Sequence, residues 1–198
     1  MTRRDVQLAS GSLTRLGWHH FNALLRRATL AVRFGGGAIR IDPTCWVARQ
    51  SVIRTRSGGS IRIGRNCEIH PFSMILTYGG DIEIGDNCSI NPFVVVYGHG
   101  GLKIGNSVRI AAHTVIVPAN HNPPSEHESL ETSGVTGKGI VIDDNVWLGA
   151  GCRVLDGVHI SRNVIVGAGS VVTRSIPANA TAAGVPARVI KVRGEGDS

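Results

Sequence analysis

One histidine stands where a proton-transfer group would be useful. His121 lies in Pro118-Ala119-Asn120-His121-Asn122, at the base of a long loop over about residues 120–139 that interrupts an otherwise regular repeat. Loops of that length in a compact domain are usually functional. A neutral imidazole, with an ordinary pKa of about 6.5, can take a proton from a hydroxyl at neutral pH and later return it. Such a ring needs a partner that fixes its tautomer, and Glu126, Glu128 or a backbone carbonyl are the candidates. The cysteines offer less chemistry. They show no CxxC spacing, and Cys45, Cys67 and Cys88 each fall four residues after an isoleucine (Ile41, Ile63, Ile84). That regularity reads as small buried hydrophobes stacked on one another.

The elements that position His121 follow from a period of six. Between Ile140 and Ile176, aliphatic residues stand at Ile142, Leu148, Val154, Ile160, Val166 and Val172. A second inward set, Val146, Cys152, Val158, Val164, Ser170 and Ile176, follows four residues after each. Neither a helix nor an ordinary alternating strand has this period. A coil does, if each hexad supplies one short strand and one corner and three hexads close a triangular turn. The same pattern begins at Ile41. Its turns open at Ile41, Ile63, Ile84 and Ile104, which are 22, 21 and 20 residues apart, and Ile142 and Ile160 are 18 apart. The surplus residues gather at one corner, around Ser57-Gly58-Gly59, Gly79-Gly80 and Gly98 to Gly101, and the long loop leaves at that corner too. Glycine supplies the positive φ that a bulged corner needs. About six turns at roughly 4.8 Å make a coil about 30 Å long.

Composition agrees with a thin aliphatic interior. Aromatic residues are only 5%, glycines number 26, and 42% hydrophobic content argues against disorder. The chain divides into an N-terminal helical cap or extension (1–38), a parallel β-helix (39–177, with the loop 120–139) and a C-terminal tail (178–198). Leu13, Leu16, Trp18, Phe21, Leu24, Leu25 and Leu30, interspersed with Arg15, Arg26 and Arg27, read as one or two amphipathic helical segments that cover the open end of the coil. A second reading of that segment is weak contact with an anionic membrane surface. Gly35-Gly36-Gly37 lacks the Lys and Ser/Thr of a phosphate loop. There is no apolar run of membrane-spanning length and no signal-peptide pattern, so a cytoplasmic location is expected. The net charge of +7 favours an anionic ligand of some kind.

The stretches IVIDDNVWLGAGCRVLDGVHI, GAGSVVTRSIPANATAAGVPARVIK and PANHN together resemble the hexapeptide-repeat acyltransferases, in particular the maltose/galactoside O-acetyltransferase-like group that includes sugar acetyltransferases of polysaccharide biosynthesis. The resemblance covers about residues 41–193. It implies an all-β left-handed parallel β-helix, against the usual right-handed crossover rule, and a homotrimer with active sites between subunits. It implies acetyl-CoA as co-substrate, no metal, and direct transfer of acetyl to a sugar hydroxyl with His121 as general base. Asn91, 30 residues before His121, would bind the acceptor through its amide. Sugar-binding relatives often carry Asp 22 residues before this histidine; here the residue is His99, which bears on acceptor identity. Tyr97 and His113 would also line the acceptor site. Ala150 and Ala168, 18 residues apart, would contact the pantetheine arm, and the Ala150 N–H would face the oxyanion. Thr173 and Arg174 stand where relatives have Thr-Lys. Arg174, Arg188 and Lys191 would hold phosphate oxygens, and Trp147 would pack at a subunit seam or beneath the arm. Nucleic acid is not expected as a partner.

Three other functions compete with this one. An N-acetyltransferase of an amino sugar or nucleotide sugar would use the same base. A γ-type carbonic anhydrase needs three converging histidines, two of them as HxxxxH; His113 and His121 are eight apart and no such motif occurs. An ice-binding solenoid would want stacked threonine rows, which the sequence lacks.

Overall fold

The computed structural model describes Phe34 and residues 37–194. The expected N-terminal helix therefore lies almost wholly outside the described residues, as do Glu195 to Ser198. Within them each hexad is a strand of two or three residues followed by a corner. The first face of the coil has six strands, from Ile39–Ile41 to His159–Ile160. The second has eight, from Trp46–Val47 to the pair Ala180–Gly184 and Ala187–Val192. The third has six, from Val52–Arg54 to Val171–Val172. Successive turns pair in parallel and in register: Ile61 opposes Ile82, Leu102 opposes Ile140, and Ile142 opposes Ile160. The last pair of strands departs from this rule. Ala180–Gly184 continues the parallel ladder on Ile165–Val166, and Ala187–Val192 then folds back antiparallel along it. The parallel β-helix expected from the six-residue period is present.

The core is one aliphatic column. Ile61, Ile69, Ile75, Ile82, Ile90 and Leu148 are fully buried, and of these Ile69, Ile75, Ile90 and Leu148 stand at the inward positions of the six-residue period. Branched side chains suit these short strands because little rotamer freedom is lost there. Truncating any of these isoleucines to alanine would cost about 2–5 kcal/mol. The cysteines are inside as well, and all four are free. Cys45, Cys67 and Cys88 donate S–H bonds to Gly64 O, Gly85 O and Gly105 O, the next turn's backbone, at 2.9, 3.1 and 3.1 Å. Burial pushes the Cys152 thiol up, away from reactive thiolate.

The corners explain much of the polar sequence. Between the first and second faces the chain turns through Asn66, Asn87, Ser107, Asn145, Asn163 and Asn179, all with φ between 55° and 60°. Asparagine tolerates that left-handed conformation better than most residues. It also links the turns here: Asn145 Nδ2 donates to Asn163 Oδ1 at 2.9 Å, and Asn163 Nδ2 to Asn179 Oδ1 at 2.8 Å.

The outer faces differ sharply. The first carries Arg40, Arg62, Glu83 and Lys103 in register on its outer side. The third carries Val52, Met74, Val95 and Val115 in one row. Leu76, Tyr97, Val117 and Leu155 occupy a second row beside it. A solvent-facing sheet would normally alternate to polar residues here; these rows are mostly apolar, with Arg153 following Val115 in the first and Arg54 preceding Leu76 in the second.

Candidate active site

His121 is mounted on a small hairpin rather than at the end of a third-face strand, where the repeat pattern would put it. The third-face strand of its turn, Val115–Val117, stops four residues earlier, and Asn120–His121 pairs antiparallel with Val135–Thr136. The imidazole is exposed. Asn122 ties the hairpin together: its Nδ2 donates to Ser133 O at 2.8 Å and its Oδ1 accepts from Thr136 Oγ1 at 2.8 Å. The carboxylates expected to orient His121 are used elsewhere or lie apart. Glu128 Oε2 accepts from the Ser125 N–H at 3.1 Å, which also holds its carboxyl below the usual range. Glu126 makes no bond to the ring among the described residues.

The base of the hairpin is clamped by a residue that the repeat pattern passes over. Asp156 Oδ1 accepts from the N–H groups of Lys138 and Gly139 at 2.8 and 3.0 Å, while its Oδ2 accepts from Asn120 Nδ2 at 3.3 Å. One carboxylate thus holds both strands' roots. The corner beneath is too tight for side chains. A Cβ on Gly137 would lie 2.3 Å from Pro118 O, and one on Gly100 would lie 2.6 Å from the Gly137 carbonyl carbon. Asp156→Ala is expected to leave the coil folded yet lower turnover by about 10²-fold, the effect of displacing a reacting group by an ångström or so. Unchanged turnover would show that the clamp does not position His121.

Two further residues stand beside His121. His99 lies two residues past Val95–Tyr97, one turn below the hairpin, within reach of the His121 charge. The His99 ring stacks on Tyr78 with centroids 4.8 Å apart and planes 14° apart, and meets Tyr97 edge-on at 5.7 Å. Tyr78 was not legible as a site residue, because it joins His99 across a bulged corner. Burial, and next the His121 charge, lower the His99 pKa below the ordinary histidine value.

Asn91, His113, Ala150 and Ala168 gather at the opposite corner of the third face, whereas Thr173 and Arg174 follow its last strand and so share the corner of His99 and His121. Asn91 and His113 begin third-face turns, whereas His99 and His121 follow the strands. Eight residues along a strand and its flanks separate Asn91 from His99, on the order of 15–20 Å. Asn91 spends part of its amide on its own corner: Nδ2 and the backbone N–H both donate to Ile110 O, at 2.9 and 3.0 Å. Its Oδ1 remains as an acceptor. His113 lies flat on Phe93 (centroids 5.0 Å, planes 4° apart), and Phe93 lies flat on Phe72 at 5.3 Å.

Above His113 the same corner loses its side chains, through Ala150-Gly151 and Ala168-Gly169, both alanines exposed. The N–H groups flanking Ala150 are engaged: Gly149 donates to Val166 O and Gly151 to Ala112 O. Those flanking Ala168 are engaged likewise, by Ala182 O and Ala150 O. The alanine N–H groups themselves make no backbone hydrogen bond among the described residues, which leaves two donors one turn apart. Gly149 makes this close stacking possible, since a Cβ there would come within 2.6 Å of Ala168 N.

Higher still are the basic groups. Thr173 and Arg174 are exposed past the last third-face strand, and Arg188 and Lys191 lie on Ala187–Val192 opposite Ala183 and Thr181. Trp147 stands on the outer second face between Arg109 and Ile165, in a concavity of about 630 Å³ with Asn163 and Arg193. A larger concavity of about 1090 Å³ runs along the first face and contains none of these residues.

Comparison with known proteins places the coil. Residues 139–174 match the family "Bacterial transferase hexapeptide (six repeats)". Galactoside O-acetyltransferase of Escherichia coli (strain K12) is 41% identical over 88 residues, 44% of this chain and 42% of that protein. The enzyme of the same name from Lactococcus lactis is 41% identical over 86 residues, covering 43% and 41%. The chain thus spans about two fifths of the length of these curated relatives. Among solved structures, AntD, an N-acyltransferase from Bacillus cereus in complex with dTDP and 3-hydroxybutyryl-CoA, superposes with a TM-score of 0.69 at 22% identity, over 84% of this chain and 88% of that one. At that identity the likeness concerns the fold alone. By its matched repeats, the chain carries the bacterial transferase hexapeptide pattern over residues 139–174, and it is similar to galactoside O-acetyltransferases over about two fifths of their length.

Proposed function

We propose that the protein is an acetyl-CoA-dependent O-acetyltransferase acting on a sugar hydroxyl, and that it works as a homotrimer. One observation carries the reading: the candidate residues form two half-sites at opposite ends of an apolar face. His121 and His99 stand at one end, with Asn91, His113, Ala150 and Ala168 at the other. One prism cannot bring the halves together. Three prisms with parallel axes and third faces turned inward can, because the His121 end of each face then meets the Ala150 end of the next. His113 and His121 belong to the same turn, so the halves meet at the same height. Cyclic closure of this kind also covers the apolar rows.

In this arrangement the pantetheine arm runs down the side-chain-free corner, where the Ala168 N–H meets one of its amide oxygens and the Ala150 N–H is left for the thioester carbonyl. The phosphates lie toward Arg174, Arg188 and Lys191. A neutral His121 from the neighbouring protomer takes the proton of the acceptor hydroxyl as its oxygen attacks the thioester carbonyl carbon. The C–O bond forms and the C–S bond breaks through one tetrahedral intermediate, whose oxyanion accepts from the Ala150 N–H. His121 then returns the proton to the departing thiolate, and no acyl-enzyme forms. The galactoside acetyltransferases that match this chain support a sugar acceptor, and the CoA-bound N-acyltransferase of the same fold supports the thioester. The test is release of free thiol from acetyl-CoA across mono- and oligosaccharides and nucleotide sugars. Release dependent on a sugar hydroxyl supports the proposal, and release only with amino sugars replaces it by N-acetylation.

A further inference from the structure

We infer that His99 determines the acceptor class of this site, presenting a neutral Nε2–H donor that favours a hydroxyl over an ammonium group. The inference rests on the acetyl-transfer reading and adds to it the choice between oxygen and nitrogen acceptors.

The ring is held from several sides. Tyr78 covers one face and Tyr97 meets it edge-on. The corner that carries it is bonded to the base of the His121 hairpin, since the Gly100 N–H donates to Pro118 O at 3.0 Å. Within this packing His99 Nδ1 is buried and has no hydrogen-bond partner among the described residues. A buried N–H without a partner is rarer and costlier than a buried lone pair without one. The favoured tautomer therefore leaves Nδ1 bare and puts the proton on Nε2. Nε2 is neither bonded nor sealed off among the described residues, so its N–H is the donor a ligand meets.

The charge environment points the same way. Burial opposes protonation of His99, and the charge that bears on it is that of His121, which opposes it further. Two carboxylates of the same corner region are occupied. Asp156 accepts three hydrogen bonds at the hairpin base, and Asp81 is bonded to Ser60 one turn below. An ammonium beside His99 would meet an N–H dipole instead of the carboxylate that an Asp at this position would offer, and it must lose a proton before it can attack. A hydroxyl fits both rings: its oxygen accepts from His99 Nε2–H and its hydrogen points to His121. That pairing also sets the oxygen's attacking lone pair, which a simple packing role for His99 would not do.

The test uses the full-length protein, its His99→Asp and His99→Gln variants, and a matched pair of acceptors: a methyl glycoside turned over in the thiol-release screen and its analogue with an amine at the reacting position. The wild type should favour the hydroxyl in kcat/KM by at least ~10-fold. His99→Asp, checked for folding by circular dichroism, should narrow or reverse that ratio. His99→Gln, a neutral donor, should keep it. Imidazole ¹⁵N spectra should show Nε2 protonated and a midpoint below the ordinary histidine value. His121→Ala should raise that midpoint without restoring it fully, because burial remains. A wild-type preference for the amine, an unchanged ratio in His99→Asp, or a proton on Nδ1 would each overturn the inference while leaving acetyl transfer standing. Thiol release with neither acceptor class would overturn the reading beneath it.

Discussion

His121→Ala will fold and assemble like the wild type and will lose acetyl transfer by about 10²–10⁴-fold, the usual worth of a positioned general base. The expectation of intact folding is physical. The ring is exposed, no hydrogen bond from it holds the hairpin, and the hairpin is held by Asn122 and Asp156 instead. The loss should fall on kcat rather than on the Michaelis constant for acetyl-CoA, because the arm is bound at the alanine corner of the neighbouring protomer. A variant with undiminished kcat would remove His121 from the chemistry.

Val115→Glu will abolish assembly and activity together. Val115 lies at the middle of the apolar third face, in register with Val95 on one side and Arg153 on the other. A carboxylate there remains hydrated in an isolated prism. At a trimer axis three of them would be brought together and desolvated, at a cost of several kcal/mol each. Sedimentation should therefore show a folded monomer without turnover. A Val115→Glu protein that stays trimeric would mean that the third face is not the interface. Val115→Ala supplies the contrast, since it shortens the side chain without charge and should weaken assembly only modestly.

The coil was legible in the residues because its signal is strict. Inward positions tolerate only small or aliphatic side chains, and Ile142, Leu148, Val154 and Ile160 are buried where the six-residue period placed them. The cysteine column was legible for the same reason, and so was the departure of the long loop, since Ile104 and Ile142 stay in register across it. The site was legible only in part. Asn120–His121 and Val135–Thr136 are too short to show an alternation, so the hairpin that lifts His121 off the third face left no trace. Tyr78 and His99 meet across corners whose length varies from turn to turn, and no fixed period pairs them. Asp156 sits at an ordinary corner position, and only the returning loop gives it its three donors. The two half-sites sit at opposite corners because Asn91 and His113 precede third-face strands while His99 and His121 follow them. That separation is a property of the prism's width and not of residue spacing.

The most direct test co-expresses two inactive chains, His121→Ala and Ala150→Trp, the second blocking the arm at an exposed corner position. Mixed trimers carrying both chains are isolated by two different affinity tags. If each site joins His121 of one protomer to Ala150 of the next, one interface in every mixed trimer is intact, so activity returns to about one third of the wild-type value in that fraction. Mixed trimers as inactive as either parent would place His121 and Ala150 in the same chain's site and contradict the account.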